Sequence, residues 1–294
     1  MNGNDTIDGE YPFVVAIFYK KEYICTGTLI SSRHIVTAAH CFAAPAGTKT
    51  YLQQKCRDDQ ECLKSHLGTN SKEKCGTTYL SPKLIVEDYE IGFGSLSLNK
   101  TKKLKLHSID PNYQQFYHYG CHQNDLAILT LALDGNEDIR PYVCLAHTTD
   151  LNMREDEVQF TTLGWGKDSA ANIAKHDILQ KLDVNGVFSM KRCSQSWNPF
   201  PIDGICVTET DERNSCDGDS GGPLITIQKI PNEQRYRYVM VGLLSFGTDC
   251  DALQSNVKAE TAVYTRLDFY QQKINDIIEW ENENLEGFDF SGLY

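Results

Sequence analysis

NSCDGDSGGP, at residues 214–223, is the stretch that decides the fold of this chain of 294 residues. Its core, residues 218–222, places Ser220 in a G-x-S-x-G pattern, which carries the nucleophilic serine of the α/β-hydrolases. In that fold the acid and the histidine follow the serine along the chain. No histidine follows Ser220, because the last one is His176. The order of the residues therefore excludes an α/β-hydrolase such as a lipase or an esterase.

Two segments upstream supply the missing residues in a different order. TAAHC, at residues 37–41, contains His40, and NDLAILTL, at residues 124–131, places Asp125 at the head of an apolar run. The order histidine, aspartate, serine is that of chymotrypsin. Two more motifs follow in the order of the same family, GWG at 164–166 and SFG at 245–247. With these motifs the sequence resembles the chymotrypsin/trypsin family of serine endopeptidases over nearly its whole length, outside residues 43–83 and the C-terminal tail.

The resemblance implies a role for each residue of the triad. Ser220 Oγ would attack a peptide carbonyl, and His40 would take its proton and then donate it to the leaving amine. Asp125 would hold the imidazole in the tautomer that the reaction needs, and Ser245 would support this aspartate. The backbone N–H groups of Gly218 and Ser220 would form the oxyanion hole. Each residue alone is compatible with a structural role, so the prediction depends on the joint pattern.

Short strand-like runs recur along the chain, rich in Val, Ile, Thr and aromatic residues and separated by polar breaks. They are FVVAIFY (13–19), CTGTLIS (25–31), IVTAA (35–39), LAILTL (126–131), VQFTTLGWG (158–166), LITIQ (224–228) and YVMVGLLSF (238–246). This pattern predicts an all-β sandwich or barrel rather than βαβ units. The resemblance implies the chymotrypsin-like version, two Greek-key six-stranded β-barrels with a C-terminal helix.

We expect one peptidase domain over residues 1–294. Its predicted parts are an N-terminal barrel (1–133), a C-terminal barrel (134–267), a C-terminal helix (268–283) and an acidic tail (284–294). The helix is indicated by apolar residues at helical spacing, among them Ile274, Ile277 and Ile278. Residues 43–83 are polar and lysine-rich and contain three cysteines, which predicts a surface insertion stapled by disulfides.

The residues expected to form the specificity pocket differ from those of trypsin. In trypsin-like members an aspartate six residues before the nucleophile binds Arg or Lys, and this chain has Asn214 there. A neutral amide removes the buried charge that selects a cation. Ser245 and Gly247 would border the pocket, and Ala262 replaces a glycine and would make it shallower. A neutral or aromatic substrate side chain is therefore preferred, with a basic one held by Asn214 and Asp217 as the alternative.

The 11 cysteines, without a CxxC pair, favour an oxidising compartment. The resemblance implies three disulfides, Cys25–Cys41, Cys193–Cys206 and Cys216–Cys250. Four more cysteines (Cys56, Cys62, Cys75 and Cys121) would make two bonds whose connectivity spacing does not give; the rival hypothesis is a zinc site with His66 or His122. Cys144 is left over. In relatives with a cysteine here it holds a propeptide after activation cleavage.

The formal net charge of −12 excludes an electrostatic surface for nucleic acid or an anionic membrane. No apolar run approaches the roughly 20 residues that span a bilayer. We expect a secreted glycoprotein, with sequons at Asn4 and Asn99, although the polar residues 1–5 are not a signal peptide. Neither a cofactor nor a metal is expected. The resemblance implies as partners a protein or peptide substrate, an activating protease and protein inhibitors.

In zymogens of this family, cleavage frees an Ile or Val α-amino group that pairs with the aspartate before the nucleophile, Asp219 here. Pro12 resembles a family proline about a dozen residues after that terminus. Counting back from it places the expected isoleucine just before Met1, with Asn2 and Gly3 where the family has two glycines. The chain would then begin about one residue late, which would also explain the unpaired Cys144.

A catalytically silent protease homologue that acts as a binding or regulatory module is the alternative to an enzyme. Such proteins usually lose a residue of the triad. None of His40, Asp125 and Ser220 is lost here, so the peptidase is the leading hypothesis.

Overall fold

The computed structural model describes residues 1–45, 47–57, 59–67, 79–110, 124–133, 141–146, 159–185, 190–230, 234–255 and 257–283. In these ranges the fold is mostly β, which confirms the predicted class. The strands are β1 (Asn4–Asp5), β2 (Val14–Tyr19), β3 (Glu22–Leu29), β4 (His34–Thr37), β5 (Tyr89–Phe93), β6 (Lys102–Ile109), β7 (Ala127–Leu131), β8 (Cys144–Leu145), β9 (Gln159–Gly164), β10 (Gln180–Asn185), β11 (Gly204–Thr208), β12 (Pro223–Lys229), β13 (Tyr236–Phe246) and β14 (Thr261–Arg266). The helices are α1 (Thr48–Cys56), α2 (Gln60–His66), α3 (Pro82–Asp88), α4 (Met190–Ser196), α5 (Cys250–Gln254) and α6 (Gln271–Glu283).

Six strands of the N-terminal half close into a barrel in the order β2-β3-β4-β7-β6-β5. All neighbours in it are antiparallel. Strand β6 illustrates why these residues form a barrel wall, because its lysines are exposed while Leu104, Leu106 and Ile109 are buried. This alternation puts one face of the strand in the core and the other in water.

The C-terminal half differs from the predicted closed barrel. Its strands form an eight-stranded sheet in the order β1-β10-β9-β12-β13-β14-β11, with β8 paired in parallel to β13. β10 and β11, which lie near the two ends of this path, approach each other, but no strand pairing joins them within the described residues. The first strand of the chain, Asn4–Asp5, instead adds to the outer edge of β10.

One hydrophobic cluster connects the two halves. It contains barrel residues such as Val15 and Ile35, and also Trp165, Met240 and Leu243 from the second sheet. All five are almost fully buried. A continuous apolar core fixes the two sheets relative to each other, so side chains from both can meet at one site.

The predicted C-terminal helix is confirmed as α6. Ile274 is fully buried, and Ile277 and Ile278 pack against the same core. Phe269, which precedes the helix, is 51% exposed, and the guanidinium of Arg266 lies 5.3 Å from its ring centroid. No helix within the described ranges is long and apolar enough to cross a membrane.

The predicted insertion contains more helix than its sequence indicated. Helices α1 and α2 are joined by a disulfide between Cys56 and Cys62, and the side chain of Asp59 accepts from two backbone N–H groups at the start of α2. Tyr79 and Leu80 are buried in the barrel core. The insertion is therefore anchored at its far end. Residues 68–78, with Cys75, and the tail at 284–294 lie outside the described residues.

Candidate active site

His40 and Asp125 lie side by side at one end of the first barrel, where the paired strands β4 and β7 bring them together. His40 lies in a 3₁₀ turn, Ala39–Phe42, directly after β4, and Asp125 lies just before β7. His40 Nδ1 is 2.8 Å from Asp125 Oδ2, and the backbone N–H of His40 donates to Oδ1 at 3.0 Å. Ser245 Oγ from the second sheet donates to Asp125 Oδ2 at 2.5 Å. Both oxygens of the carboxylate therefore have partners, and these come from the turn after β4 and from β13.

The environment of His40 favours a charged imidazole. Burial alone would lower the pKa of His40, but the charge and the hydrogen bond of Asp125 outweigh it and raise the pKa. Asp125 is 2% exposed, whereas 32% of the His40 side chain remains accessible. An imidazole that is hydrogen-bonded through Nδ1 and still partly accessible can exchange a proton with a substrate.

The segment that carries Asp125 is held by the C-terminal part of the chain. Asn124, the preceding residue, has φ +66°, and its backbone N–H donates to Asp203 Oδ2 at 2.8 Å. The hydroxyl of Tyr270 donates to Asn124 Oδ1 at 2.9 Å and also contacts Asp203. Asparagine tolerates this left-handed conformation better than most residues. The aspartate is thereby presented to His40 by backbone geometry as well as by its own hydrogen bonds.

The turn that carries Ser220 packs tightly against the strand that leads to His40. Gly221 has φ +76°, and a Cβ on it would lie 2.1 Å from Thr37 Oγ1 and 2.5 Å from the carbonyl oxygen of Thr26. The carbonyl of Ser220 accepts from the N–H of Thr26 at 2.9 Å. Only glycine allows this approach and this backbone angle. The candidate nucleophile is therefore fixed beside the turn that carries His40.

Tyr23 and Thr26 hold the backbone at Gly218, and the motif analysis did not identify either residue. The Tyr23 hydroxyl donates to the carbonyl oxygen of Gly218 at 2.6 Å, and Thr26 Oγ1 donates to the same oxygen at 3.0 Å. Gly218 has φ +96°. The two side chains of β3 thus restrain the backbone conformation of Gly218, on which the direction of the predicted oxyanion donors depends. No short motif encodes this contact, because the partners are 195 residues apart.

Asp219 lies behind the nucleophile, at a small cavity that also borders Met1. Its carboxylate accepts from Gly166 N–H at 2.8 Å and from Cys216 N–H at 2.9 Å. Burial raises the pKa of Asp219, with the Cys216 hydrogen bond opposing it. The α-amino group of Met1 donates to the carbonyl oxygen of Asn214 at 2.5 Å. The cavity that Met1 and Asp219 border has a volume of about 30 Å³.

A larger cavity of about 250 Å³ opens beside Ser220. Of the residues predicted for a substrate pocket, Asp217, Ser245 and Gly247 line it. Asn214 and Ala262 are 1% exposed and are not among its lining residues. Asn214 borders the smaller cavity instead. Glu209 lines the larger cavity, and no signal in the sequence had pointed to it.

Three disulfides hold this region, and they are the pairs that the resemblance implied, Cys25–Cys41, Cys193–Cys206 and Cys216–Cys250. The first ties β3 to the turn of His40, and the third joins two walls of the larger cavity. Cys56 and Cys62 are bonded to each other, so they offer no thiolates to a zinc ion. Cys144 is exposed and forms no disulfide in the described part of the chain. Cys75, Cys121 and His122 lie outside it.

Comparisons with known proteins agree with this geometry. The family model described as Trypsin matches residues 1–68 and 69–274. The chain is 29% identical to the trypsin-like protease try-5 of Caenorhabditis elegans over 87% of this chain and 78% of that protein. It is 28% identical to phenoloxidase-activating factor 1 of Holotrichia diomphalia, over 93% and 68%. It is 25% identical to the clotting factor G beta subunit of Tachypleus tridentatus, over 91% and 75%.

Proposed function

This chain belongs to the trypsin family, and on that premise we propose that it is a serine endopeptidase that works through an acyl-enzyme on Ser220. The observation that carries the proposal is the hydrogen-bonded chain from Ser245 through Asp125 to His40, which ends on a partly open imidazole. A serine hydroxyl is a poor nucleophile at neutral pH and needs such a base.

In the proposed reaction, the Ser220 hydroxyl loses its proton to Nε2 of His40 as its oxygen attacks the carbonyl carbon of the substrate. Asp125 accepts from Nδ1, which leaves Nε2 as the basic nitrogen and stabilises the imidazolium that forms. The same imidazolium then protonates the leaving amine. Water then enters and gives a proton to His40 as its oxygen attacks the ester carbonyl. The bond from that carbon to Ser220 Oγ breaks as His40 returns the proton to Oγ, which releases the acid product.

The negative charge that develops on the carbonyl oxygen is assigned to the backbone N–H groups of Gly218 and Ser220. Donors fixed before the reaction cost no reorganisation when the charge appears. The hydrogen bonds from Tyr23 and Thr26 to the Gly218 carbonyl support this role, because they restrain the backbone from which one donor projects.

The proposed substrate is protein, and the proposed site of action is outside the cell. Four disulfides in the described residues support an oxidising environment, and Asn4 and Asn99 are exposed in their sequons. Relatives named as activating and clotting factors support a place among proteases that are themselves activated by cleavage. An activating protease and protein inhibitors are therefore proposed partners.

Hydrolysis of a mixed peptide library tests the proposal. The wild-type chain should cleave peptides, and Ser220→Ala should lose about six powers of ten in turnover. Ser255→Ala, a change of an exposed serine outside the site, is the matched control and should retain full activity. A folded wild-type protein that binds peptides without cleaving any would favour the binding module and contradict the proposal.

A further inference from the structure

Glu209 places a carboxyl group in the cavity next to the proposed nucleophile. It directly follows β11, and its side chain lines the cavity of about 250 Å³ together with Ser220 and Gly247. The residue is only 7% exposed. A charged residue is rarely buried to this extent unless it has a partner, so its contacts decide what the carboxyl can do.

The carboxyl group lies against the backbone of Gly247 and is short of donors. A Cβ added to Gly247 would meet Oε1 and Oε2 at 3.0 Å each. Oε2 accepts from the N–H of Thr248 at 3.2 Å. Oε1 is buried and accepts no well-formed hydrogen bond in the described part of the chain, although the N–H of Ser215 also acts on the carboxyl group. A buried acceptor without a donor costs free energy, which a bound donor would recover.

Within the described residues, no side-chain cation pairs with this carboxyl group, although the charge of the Met1 α-amino group acts on it. Among the described residues, no lysine, arginine or histidine forms an ion pair with Glu209, and none lines the cavity. The other charged lining residues, Asp217 and Asp249, are also acidic. Once Glu209 ionises, the cavity carries only negative side chains and is complementary to a cationic group.

We propose that Glu209 is the specificity-determining acid of this enzyme, and that it selects a lysine or arginine side chain immediately before the cleaved bond. The inference rests on the proposed function, since it assigns the substrate side chain that the cavity beside Ser220 receives. The proposal assigns specificity to Glu209, at the end of β11, and not to Asn214. The buried amide of Asn214 borders another cavity. A guanidinium or an ammonium would supply the donors that Oε1 lacks.

This assignment makes the preference depend on pH. Burial raises the pKa of Glu209 to about 8, against the opposing effect of the backbone N–H groups of Thr248 and Ser215. The other titratable groups that face it are Asp217, Asp249, the α-amino group of Met1 and Tyr264. Tyr264 stays neutral, because burial raises its pKa. As the pH rises, Glu209 ionises and the preference for a cation grows.

Two peptides that differ only before the cleaved bond, one with arginine and one with its neutral isostere citrulline, give the test. The ratio of their kcat/KM values measures the preference for charge, and the titration of His40 cancels in it. Wild type should prefer arginine, and the ratio should rise between about pH 6 and about pH 9. Glu209→Gln should lower the ratio about 10- to 100-fold and abolish its rise with pH.

Glu209→Asp keeps the charge and should retain part of the arginine preference. Glu212→Gln removes an exposed acid on the same segment and should leave the ratio unchanged. An unchanged ratio in folded Glu209→Gln, or a wild-type ratio that does not rise with pH, overturns the assignment; the wild-type profile decides if that variant does not fold. Failure of the proposed function itself would look different, because neither peptide would be cleaved at any pH.

Discussion

The hydroxyl of Tyr23 donates a hydrogen bond of 2.6 Å to the carbonyl oxygen of Gly218. Tyr23 lies in β3, and Gly218 lies in the turn before β12 that carries the proposed oxyanion donors. Gly218 has φ +96°, and a glycine would adopt many other backbone conformations if nothing held it. We therefore expect Tyr23 to be a positioning residue, which acts on the proposed reaction through the backbone of Gly218.

Tyr23→Phe should lower kcat about 5- to 10-fold and leave KM nearly unchanged. The reason is that the lost hydrogen bond loosens donors used mainly in the transition state. Steady-state kinetics on one peptide measure both constants. Tyr51→Phe, at an exposed position of α1, is the control. A change in KM alone, with kcat intact, would contradict the positioning role.

The charge of Asp125 sets the pH dependence of the reaction. Because Asp125 raises the pKa of His40, Asp125→Asn should move the acid limb of the kcat/KM profile to lower pH. It should also lower the rate about 10⁴-fold, since the imidazole is no longer held in the right tautomer. A profile on the citrulline peptide measures both effects. An acid limb that stays in place would mean that Asp125 does not control His40.

The raised pKa of His40 also predicts the direction in which the free energy of unfolding changes with pH. The pKa of His40 is higher in the folded state than its ordinary value of 6.5. The pair with Asp125 therefore stabilises the fold fully below pH 6.5, and this contribution is lost as the pH rises through the folded pKa. Denaturant unfolding of wild type and Asp125→Asn should show a difference in free energy that shrinks with rising pH.

Gly221→Ala should destabilise the fold by roughly 3 kcal/mol or more and abolish activity. The new Cβ would meet Thr37 Oγ1 at 2.1 Å, in addition to the strain at φ +76°. Gly9→Ala separates the two effects, because Gly9 has φ +77° and nothing within 4 Å. That control should lose only about 1–2 kcal/mol. Equal losses in the two variants, measured by denaturant unfolding, would show that the close packing against Thr37 is unimportant.

The motif residues were predictable because each lies in a short, contiguous and specific sequence motif. His40, Asp125 and Ser220 each stand in such a string, and their order along the chain selects one arrangement. Glu209 was not predictable in this way. It is one acid of a polar segment, and its position in the cavity depends on the pairing of β11 with β14. The buried position of Asn214 depends on long-range packing in the same manner.

The short helices were missed for a related reason. Helices α1 and α2 have no apolar stripe that a periodicity search detects, and they are fixed by caps and by the Cys56–Cys62 bond. Helix α3 does carry a local signal, since Ser81 caps it and Pro82 occupies its first turn. Whether the second sheet closes by strand pairing could not be predicted from the separate strand-like runs, because closure depends on how strands distant in sequence meet.

Covalent labelling by a fluorophosphonate is the sharpest test of the proposed nucleophile. We expect the reagent to form one phosphonyl ester per chain, peptide mapping to place it on Ser220, and His40→Ala to slow its formation strongly. Ser220→Ala should take up none. A folded chain that stays unlabelled, or that carries the label on another residue, would contradict a nucleophilic Ser220.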